Sequence, residues 1–368
     1  MKVFWLFNHP APYKINLFNE LGKHVDLTAM FIRDQEADKK ASFYNAEAKN
    51  FKAIYCHASP KGEYGSNDNA PRDHLKNNHY DVVVLNGYRS FTQAKVISYC
   101  KKHKIPYIFY INGGIAPGRE NPIKKAIKTH YIKGASAYLC PDERSKKYLI
   151  HYGAPSESIS LYPYSTVFEE KVLERPLSKE KKMELRKQFG LSEGILYASC
   201  GYFIERKNFL GLLDVYAKLK KESSLILIGG GEQQKAIEEK IKERNLTNVK
   251  ILPFMEHNRL LQVFSCCDAL LFLSKEDIYG HVVEEAFSQG LPVMSSDRVN
   301  GALHLIEDGI DGRIVSLDDE EGILKAMEDI LNPAFPEKAL LKARENTIEA
   351  TARHHIRYFE EYLKKIKS

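Results

Sequence analysis

The chain has 368 residues, 43% hydrophobic and 28% charged, with a formal net charge of +6 and a sequence pI of 8.7. That is the composition of a soluble globular protein long enough for two domains, with no internal repeat, no low-complexity tract and no apolar run of about 20 residues to span a bilayer. The mild basic excess suits an anionic ligand or membrane surface better than nucleic acid, because basic and aromatic residues do not interleave along the strands.

The first apolar run ends at Asn8, too short for a signal sequence, and reads as a buried strand. Segments 3–7, 25–32, 51–56, 81–87, 107–113 and 136–141 are predicted strands, with helical patterns such as YKINLFNELGKH between them. Continuous apolar strands alternating with helices imply a parallel sheet covered on both faces. The alternation stops near Tyr162, and the charged, proline-bearing stretch 169–190 reads as a linker plus a solvated helix. A second alternation has strands at 195–201, 224–231, 249–254, 269–274, 292–297 and 312–316. The expected organisation is α/β: a first doubly wound domain at 1–168, a linker at 169–189, a second domain at 190–335 and a helical tail at 336–368. Ligands of such sheets bind at the carboxyl ends of the strands, so a cleft between the two sheets is the expected site. The six cysteines show no CxxC spacing and read as reduced core thiols, and the histidines show no metal spacing.

Three strand-to-helix junctions in the second half carry chemistry. In SCGYFIERKNFLGLLDVYAKL, Arg206 and Lys207 precede an apolar helix, where two cations oppose the helix dipole until a diphosphate arrives. LIGGGEQQKAIEEK places Gly229, Gly230 and Gly231 between a strand and a helix, so backbone N–H groups can approach a ligand. In KEDIYGHVVEEAFSQGLPVMSSD, the predicted helix runs from Gly280 to Gly290 with Val282, Val283, Ala286 and Phe287 on its core face. Glu284 and Glu285 flank that face, and Asp277 lies in the loop before it. Carboxylates accept from sugar hydroxyls and the N–H groups of Tyr279, Gly280, His281 and Val282 donate to phosphate, a combination suited to a nucleotide-sugar. The plainer alternative makes Asp277 a helix cap and both glutamates solvated.

In the first half, NHPAPYKINLFNEL stiffens a loop with Pro10 and Pro12 and opens a helix at Tyr13 and Lys14, which suits the rim of an acceptor pocket or an ordinary stiff turn. INGGIAPGRENPIKKAIKTHYIKGA sets Gly113 and Gly114 after a strand. The helix that follows carries Ile123, Ile127 and Tyr131 on one face, with Lys124, Lys125 and Lys128 beside it and Arg119 and Lys133 at the ends. Segment 119–133 therefore reads as an anionic-membrane contact, or as a surface helix with its stripe in the core.

With these motifs quoted, the chain resembles the retaining glycosyltransferases of the GT-B fold, family 4. GYFIERK, IGGGE, DIYGHVVEEA and QGLPVMSSD follow that family's order over most of 190–316, and the likeness extends more loosely over 1–168. The resemblance implies two Rossmann-like domains facing a cleft, the acceptor in the first and the nucleotide-sugar, a UDP-sugar, in the second, with the C-terminal helix packing back on the first. It implies no cofactor and no bound metal. Carried across, Lys207 holds the donor diphosphate, with Arg206 as its companion, Glu285 meets the ribose and Asp277 lies beside the donor sugar. Gly201, Tyr202, Gly230, Gly231, Tyr279, Gly280, His281 and Val282 line the donor, with Pro253 and Phe254 by the base. Asn112 sits at the catalytic first-domain position, and Pro12, Tyr13, Gly113, Gly114 and Arg119 border the acceptor, a glycan or lipid-linked sugar. Three positions depart from the family: Tyr202 stands where an Arg is usual, Asp277 where a Glu is, and Asn112 where a His is. The implied function is transfer of a sugar in cell-surface polysaccharide or glycolipid synthesis, in the cytoplasm or on the inner face of the plasma membrane. The alternatives are a catalytically weak partner subunit, motivated by Tyr202 and Asn112, and a nucleotide-sugar epimerase, for which the cleft loops of the first half offer only Glu120 as an obvious acid.

Overall fold

A computed structural model describes residues 1–34, 46–56 and 67–367. The chain forms two compact units, Met1–Ser165 with Ile348–Ser368, and Thr166–Thr347.

In the first unit the strands are β1 (Lys2–Phe7), β2 (Asp26–Phe31), β3 (Lys52–Tyr55), β4 (Val82–Asn86), β5 (Ile108–Tyr110), β6 (Ala137–Cys140) and β7 (Ile159–Leu161). They make one sheet in the order β3-β2-β1-β4-β5-β6-β7, with parallel pairs throughout. Helices α1 (Pro12–Gly22), α2 (Ala70–Asn77), α3 (Phe91–Lys102), α4 (Pro122–Ile132) and α5 (Glu143–His151) connect them. β4, β5 and β6 are buried at every position, which is why their sequences are unbroken apolar runs. β7 was not among the expected strands. It is three residues long, with only Ile159 fully buried, and so lacks the apolar run that betrays the others.

The second unit opens with α6 (Lys179–Phe189), followed by β8 (Leu196–Tyr202), α7 (Phe209–Tyr216), β9 (Ser224–Gly230), α8 (Gln234–Glu243), β10 (Val249–Leu252), α9 (His257–Cys266) and β11 (Ala269–Phe272). Then come α10 (Val282–Ser288), β12 (Val293–Ser296), α11 (Asn300–Leu305), β13 (Gly312–Val315), α12 (Glu320–Asp329) and α13 (Phe335–Glu345). Its six-stranded parallel sheet has the order β10-β9-β8-β11-β12-β13. The stretch expected as linker and solvated helix is part of this unit. Arg186 of α6 is 1% exposed. Its guanidinium donates to the Cys266 carbonyl at 2.7 Å, the Gly194 carbonyl at 2.6 Å and Asp268 Oδ2 at 2.7 Å. A fully paired Arg is the physical reason a charged helix packs here. The expected tail is likewise divided, with α13 in the second unit and α14 (Ile348–Lys367) in the first.

α14 lies along α1 and closes an aromatic cluster. His355 packs 5.5 Å from the Trp5 ring and 5.0 Å from Tyr162, and burial pushes its pKa down to about 3. At the heart of the cluster Lys14 is fully buried, donating to the Tyr110 hydroxyl at 2.5 Å. Its ammonium lies 4.7 Å from the ring centroids of Tyr110 and Tyr164 and 5.3 Å from Phe7. Aromatic faces offset part of the cost of burying a cation, yet desolvation still holds the Lys14 pKa well below its usual value. All six cysteines are free; Cys200 is half-buried and the others are buried.

Candidate active site

The second unit gathers most of the expected site residues at the carboxyl ends of β8, β9 and β11. β8 ends at Tyr202, and a short 3₁₀ turn, Glu205–Lys207, carries Arg206 and Lys207 ahead of α7. Asn208 then adopts φ 58°, a left-handed residue that turns the chain into the helix. β11 pairs with β8, so the loop after Phe272 arrives beside this turn. Lys207 Nζ forms an ion pair with Asp277 Oδ2, and Arg206 Nη1 lies 3.7 Å from the same oxygen. Lys207 and Asp277 side chains are 11% and 13% exposed. Lys207 also sits 4.6 Å from the centroid of Phe272. Two cations thus converge on one carboxylate.

The backbone around Asp277 is held from below. Its N–H donates to the Arg298 carbonyl at 3.2 Å, and Asn300 N–H donates to its carbonyl at 3.1 Å. Asp277 Oδ1 accepts from Tyr279 N–H at 3.3 Å. Gly301 N–H donates to the Tyr279 carbonyl at 2.7 Å. Gly280 turns with φ 90°, and a Cβ there would lie 2.8 Å from Val299 Cγ1. The helix begins two residues later than predicted, at Val282, with His281 as its cap residue.

The two glutamates have different fates. Glu284 is not solvated: it is 2% exposed. Its Oε1 accepts from Thr166 N–H at 2.5 Å and Thr166 Oγ1 at 3.0 Å, and lies 3.1 Å from His281 Nδ1. Burial raises its pKa. Glu285 is the more accessible acid, with Oε1 3.2 Å from His257 Nε2, and that hydrogen bond raises the His257 pKa. Sequence reasoning missed Glu284, His257 and Thr166 as members of the site. The doubled glutamate was the available signal, but which one turns inward depends on Thr166, more than a hundred residues away.

The glycine turn after β9 is built for close approach. A Cβ on Gly229 would sit 1.9 Å from the Gly201 carbonyl oxygen, and one on Gly231 would sit 2.7 Å from the Phe203 carbonyl oxygen. Gly230 between them is open, its nearest neighbours being Gln234 and Phe254 at ordinary contact distance. Tyr202 and Phe254 are both about half exposed, and their rings lie 4.9 Å apart at 55°. Pro253 precedes Phe254 directly after β10 and is exposed.

In the first unit, Pro12 is the first residue of α1 and Tyr13 packs edge-on to Tyr164 at 6.0 Å. Asn112 follows β5, and its Oδ1 is buried with no hydrogen-bond partner among the described residues. Gly113 has φ 149°. Gly114 N–H donates to Ser145 Oγ at 3.0 Å, and Arg119 is exposed. On α4, Ile123 and Ile127 are 71% and 52% exposed, so that part of the apolar stripe faces outward, while Tyr131 stacks on Tyr88.

The chain is similar to known proteins in sequence and in fold. The family model described as "Glycosyl transferases group 1" matches residues 181–354. A lipopolysaccharide core biosynthesis glycosyltransferase, LpsE, of Rhizobium meliloti is 29% identical over 134 residues, 36% of this chain and 38% of that protein. An N-acetylgalactosaminyltransferase of Campylobacter jejuni, named for a diphospho-undecaprenol-linked acceptor, is 28% identical over 165 residues, 44% of this chain and 45% of that protein. The chain therefore spans under half the length of these curated relatives. Among solved structures, Anabaena HepE in complex with UDP is similar with a TM-score of 0.77 at 17% identity, over 98% of this chain and all (100%) of that one. Sucrose-phosphate synthase of Thermosynechococcus elongatus is similar with a TM-score of 0.75 at 16% identity, over 99% of this chain and 100% of that one. At such identities the likeness is one of fold. The chain has the GT-B fold, and its residues 181–354 match the model of the glycosyl transferases group 1 family.

Proposed function

We propose that the protein is a retaining glycosyltransferase that moves a sugar from a UDP-sugar to a glycan or lipid-linked acceptor in cell-surface polysaccharide or glycolipid synthesis. The observation that carries this reading is the convergence of Lys207 and Arg206 on Asp277 at the carboxyl ends of adjacent strands, beside an open glycine turn. The glycosyltransferase names of the relatives and the UDP bound to HepE support it.

In this reading the donor diphosphate displaces Asp277 as the partner of Lys207 and Arg206. The anomeric carbon–oxygen bond breaks, its electron pair leaves with the diphosphate, and the two cations stabilise the growing charge. The acceptor hydroxyl forms the new bond on the same face and gives its proton to the leaving phosphate. Asp277 then lies beside the donor sugar, Glu285 accepts from the ribose, and Tyr202 with Phe254 offers aromatic surface to the base. Asn112 supplies a hydrogen-bond acceptor rather than a base. The reaction so drawn uses no metal or cofactor.

Lys124 and Lys125 flank the outward Ile123 and Ile127, which suits contact with an anionic membrane from the cytoplasmic side. No helix among the described residues is long and apolar enough to cross a membrane. Flotation with liposomes containing phosphatidylglycerol should carry the wild type, and Ile123→Ser with Ile127→Ser should stay in solution; equal flotation of both rejects this surface.

The donor reading is tested by thermal shift in EDTA with UDP, GDP, ADP, TDP and their sugars, on wild type and Glu285→Ala. At 100-fold excess over Kd the stabilisation approaches about 2.7 kcal/mol. A shift with uridine compounds alone, lost in the variant, supports the reading. No shift with any nucleotide overturns it in favour of a non-catalytic partner subunit.

A further inference from the structure

Glu120 is the acid that an epimerase-like reading would recruit from the first unit. Its surroundings assign it elsewhere. Glu120 Oε1 accepts from Lys128 Nζ at 2.5 Å and from the Tyr152 hydroxyl at 2.8 Å. Its Oε2 lies 2.8 Å from the same hydroxyl and 3.7 Å from His151 Nε2. The side chain is 9% exposed. A carboxylate that already holds an ammonium and a phenol, with a histidine alongside, is an anchor and not a free base.

What it anchors is the loop 111–121, which has no helix or strand of its own and carries Asn112, Gly113, Gly114 and Arg119. The near end of that loop is fastened to α5, whose end supplies His151 and the cap residue Tyr152. Gly114 N–H donates to Ser145 Oγ at 3.0 Å, and Ser145 Oγ donates to Asp142 Oδ2 at 2.8 Å. Asp142 also caps α5 by accepting from Ser145 N–H at 2.7 Å. Gly114 lies flat on Tyr148, where a Cβ would come 2.7 Å from the ring. Tyr148 in turn bonds Tyr88, 3.0 Å between hydroxyls, from the loop after β4. Residues 145, 148 and 152 are spaced three and four apart, so they present one face.

We infer that the Ser145–Tyr148 face of α5, continued by its cap residue Tyr152 and with Glu120 as its far anchor, is a positioning device that fixes the 111–121 loop for binding the acceptor. The inference rests on the transferase reading for what the loop binds, but the clamp itself does not depend on that reading. Glu120 and Tyr152 are positioning residues: they act on Asn112 and Arg119 through the loop backbone, with Gly114 as the pivot held on Tyr148. Lys128 is turned back toward Glu120, which leaves Lys124 and Lys125 as the exposed cations of α4.

The test uses the full chain in four forms: wild type, Glu120→Gln, Tyr152→Phe and the conservative variant Glu120→Asp. Hydrogen exchange read by mass spectrometry should show peptides covering 114–121 exchanging about ten-fold or more faster in Glu120→Gln and Tyr152→Phe, because a charge-assisted bond closing a local opening is lost. Peptides from β5 and β6 should stay within about two-fold of wild type, and Glu120→Asp should recover part of the protection. Kinetics with a UDP-sugar and octyl glycosides as acceptor probes should show a raised acceptor KM with donor KM unchanged. Unaltered exchange of 114–121 in both variants overturns the clamp, and so does faster exchange spread evenly through the first unit. An unchanged acceptor KM with a loosened loop overturns its role in acceptor binding. Absence of transfer by the wild type would count against the function proposed above, while the exchange result would still decide the clamp.

Discussion

Asp277→Asn should tighten the binding of UDP while destroying transfer. In the structure Asp277 is the counter-ion of both cations proposed to hold the diphosphate. At 3.7 Å and an effective dielectric constant of about 20, the Arg206–Asp277 attraction alone is about 4–5 kcal/mol before desolvation and screening. Arg206 is 49% exposed, so most of that gross figure is lost to water. The Lys207 pair is far less exposed and keeps more. A net of about 1–2 kcal/mol must then be surrendered when a diphosphate displaces the carboxylate, and an uncharged isostere removes that cost. UDP should bind Asp277→Asn roughly 5–30-fold more tightly than wild type. Isothermal titration with UDP at low salt and at about 1 M NaCl gives the answer, with the gain shrinking at high salt because the Debye length falls to about 3 Å. Transfer should drop by about 100-fold or more, since a charge placed beside the donor sugar is gone. Lys207→Ala is the control, expected to weaken UDP by about 10-fold or more. Unchanged or weaker UDP binding by Asp277→Asn would refute the argument that Asp277 restrains the cations.

Three further outcomes follow from the geometry. Gly229→Ala should cost more than about 3 kcal/mol in urea unfolding, because its Cβ would overlap the Gly201 carbonyl, while Gly230→Ala should stay within about 1 kcal/mol. His257 has a folded pKa raised by Glu285, so its contribution is complete below the ordinary histidine value near 6.5 and is lost as pH rises through the raised one. The stability gap between wild type and His257→Gln should therefore narrow from pH 6 to 9; with the His257 side chain 42% exposed the gap is no more than about 1 kcal/mol, and a gap that widens contradicts the pairing. Lys14 has the opposite sign: its folded pKa is depressed, so the unfolded chain binds more protons between that value and 10.5, and stability rises with pH across that window. Relative to Lys14→Met, wild type should gain up to about 1.4 kcal/mol per pH unit between pH 7 and 9, and a flat difference would show the amine to be charged when folded.

Much of this is legible in the sequence. Unbroken apolar runs such as VVVL and LILI marked the buried parallel strands, and the switch to helical spacing between them marked the two alternating halves. Lys207 and Asp277 could be nominated from their places after strands, and Glu285 from its place on the flank of the following helix. The ends of most predicted strands fall within a residue or two of the observed ones. Alongside β7, the charged stretch before β8 was an exception, because composition counts Arg186 as solvated and only its five partners show that it is buried.

Strand order and pairing belong to tertiary structure. Lys207 and Asp277 are 70 residues apart and meet because β8 and β11 are neighbours in the sheet, a choice made by packing of helices on both faces and not by any local pattern. The same is true of Glu284, turned inward by Thr166, and of Glu120, whose three partners come from α4 and α5. Lys14 shows the limit most plainly. Its place at the opening of a helix suits an acceptor-pocket rim or an ordinary stiff turn, yet the fold surrounds it with Phe7, Tyr110, Tyr162 and Tyr164 and closes the cluster with His355 from the last helix. Sequence by itself determines which segments are strands and which residues have useful chemistry, because those depend on short-range periodicity and side-chain type. Which of those side chains are desolvated, paired or left open depends on partners tens to hundreds of residues away, and only the packed structure supplies them.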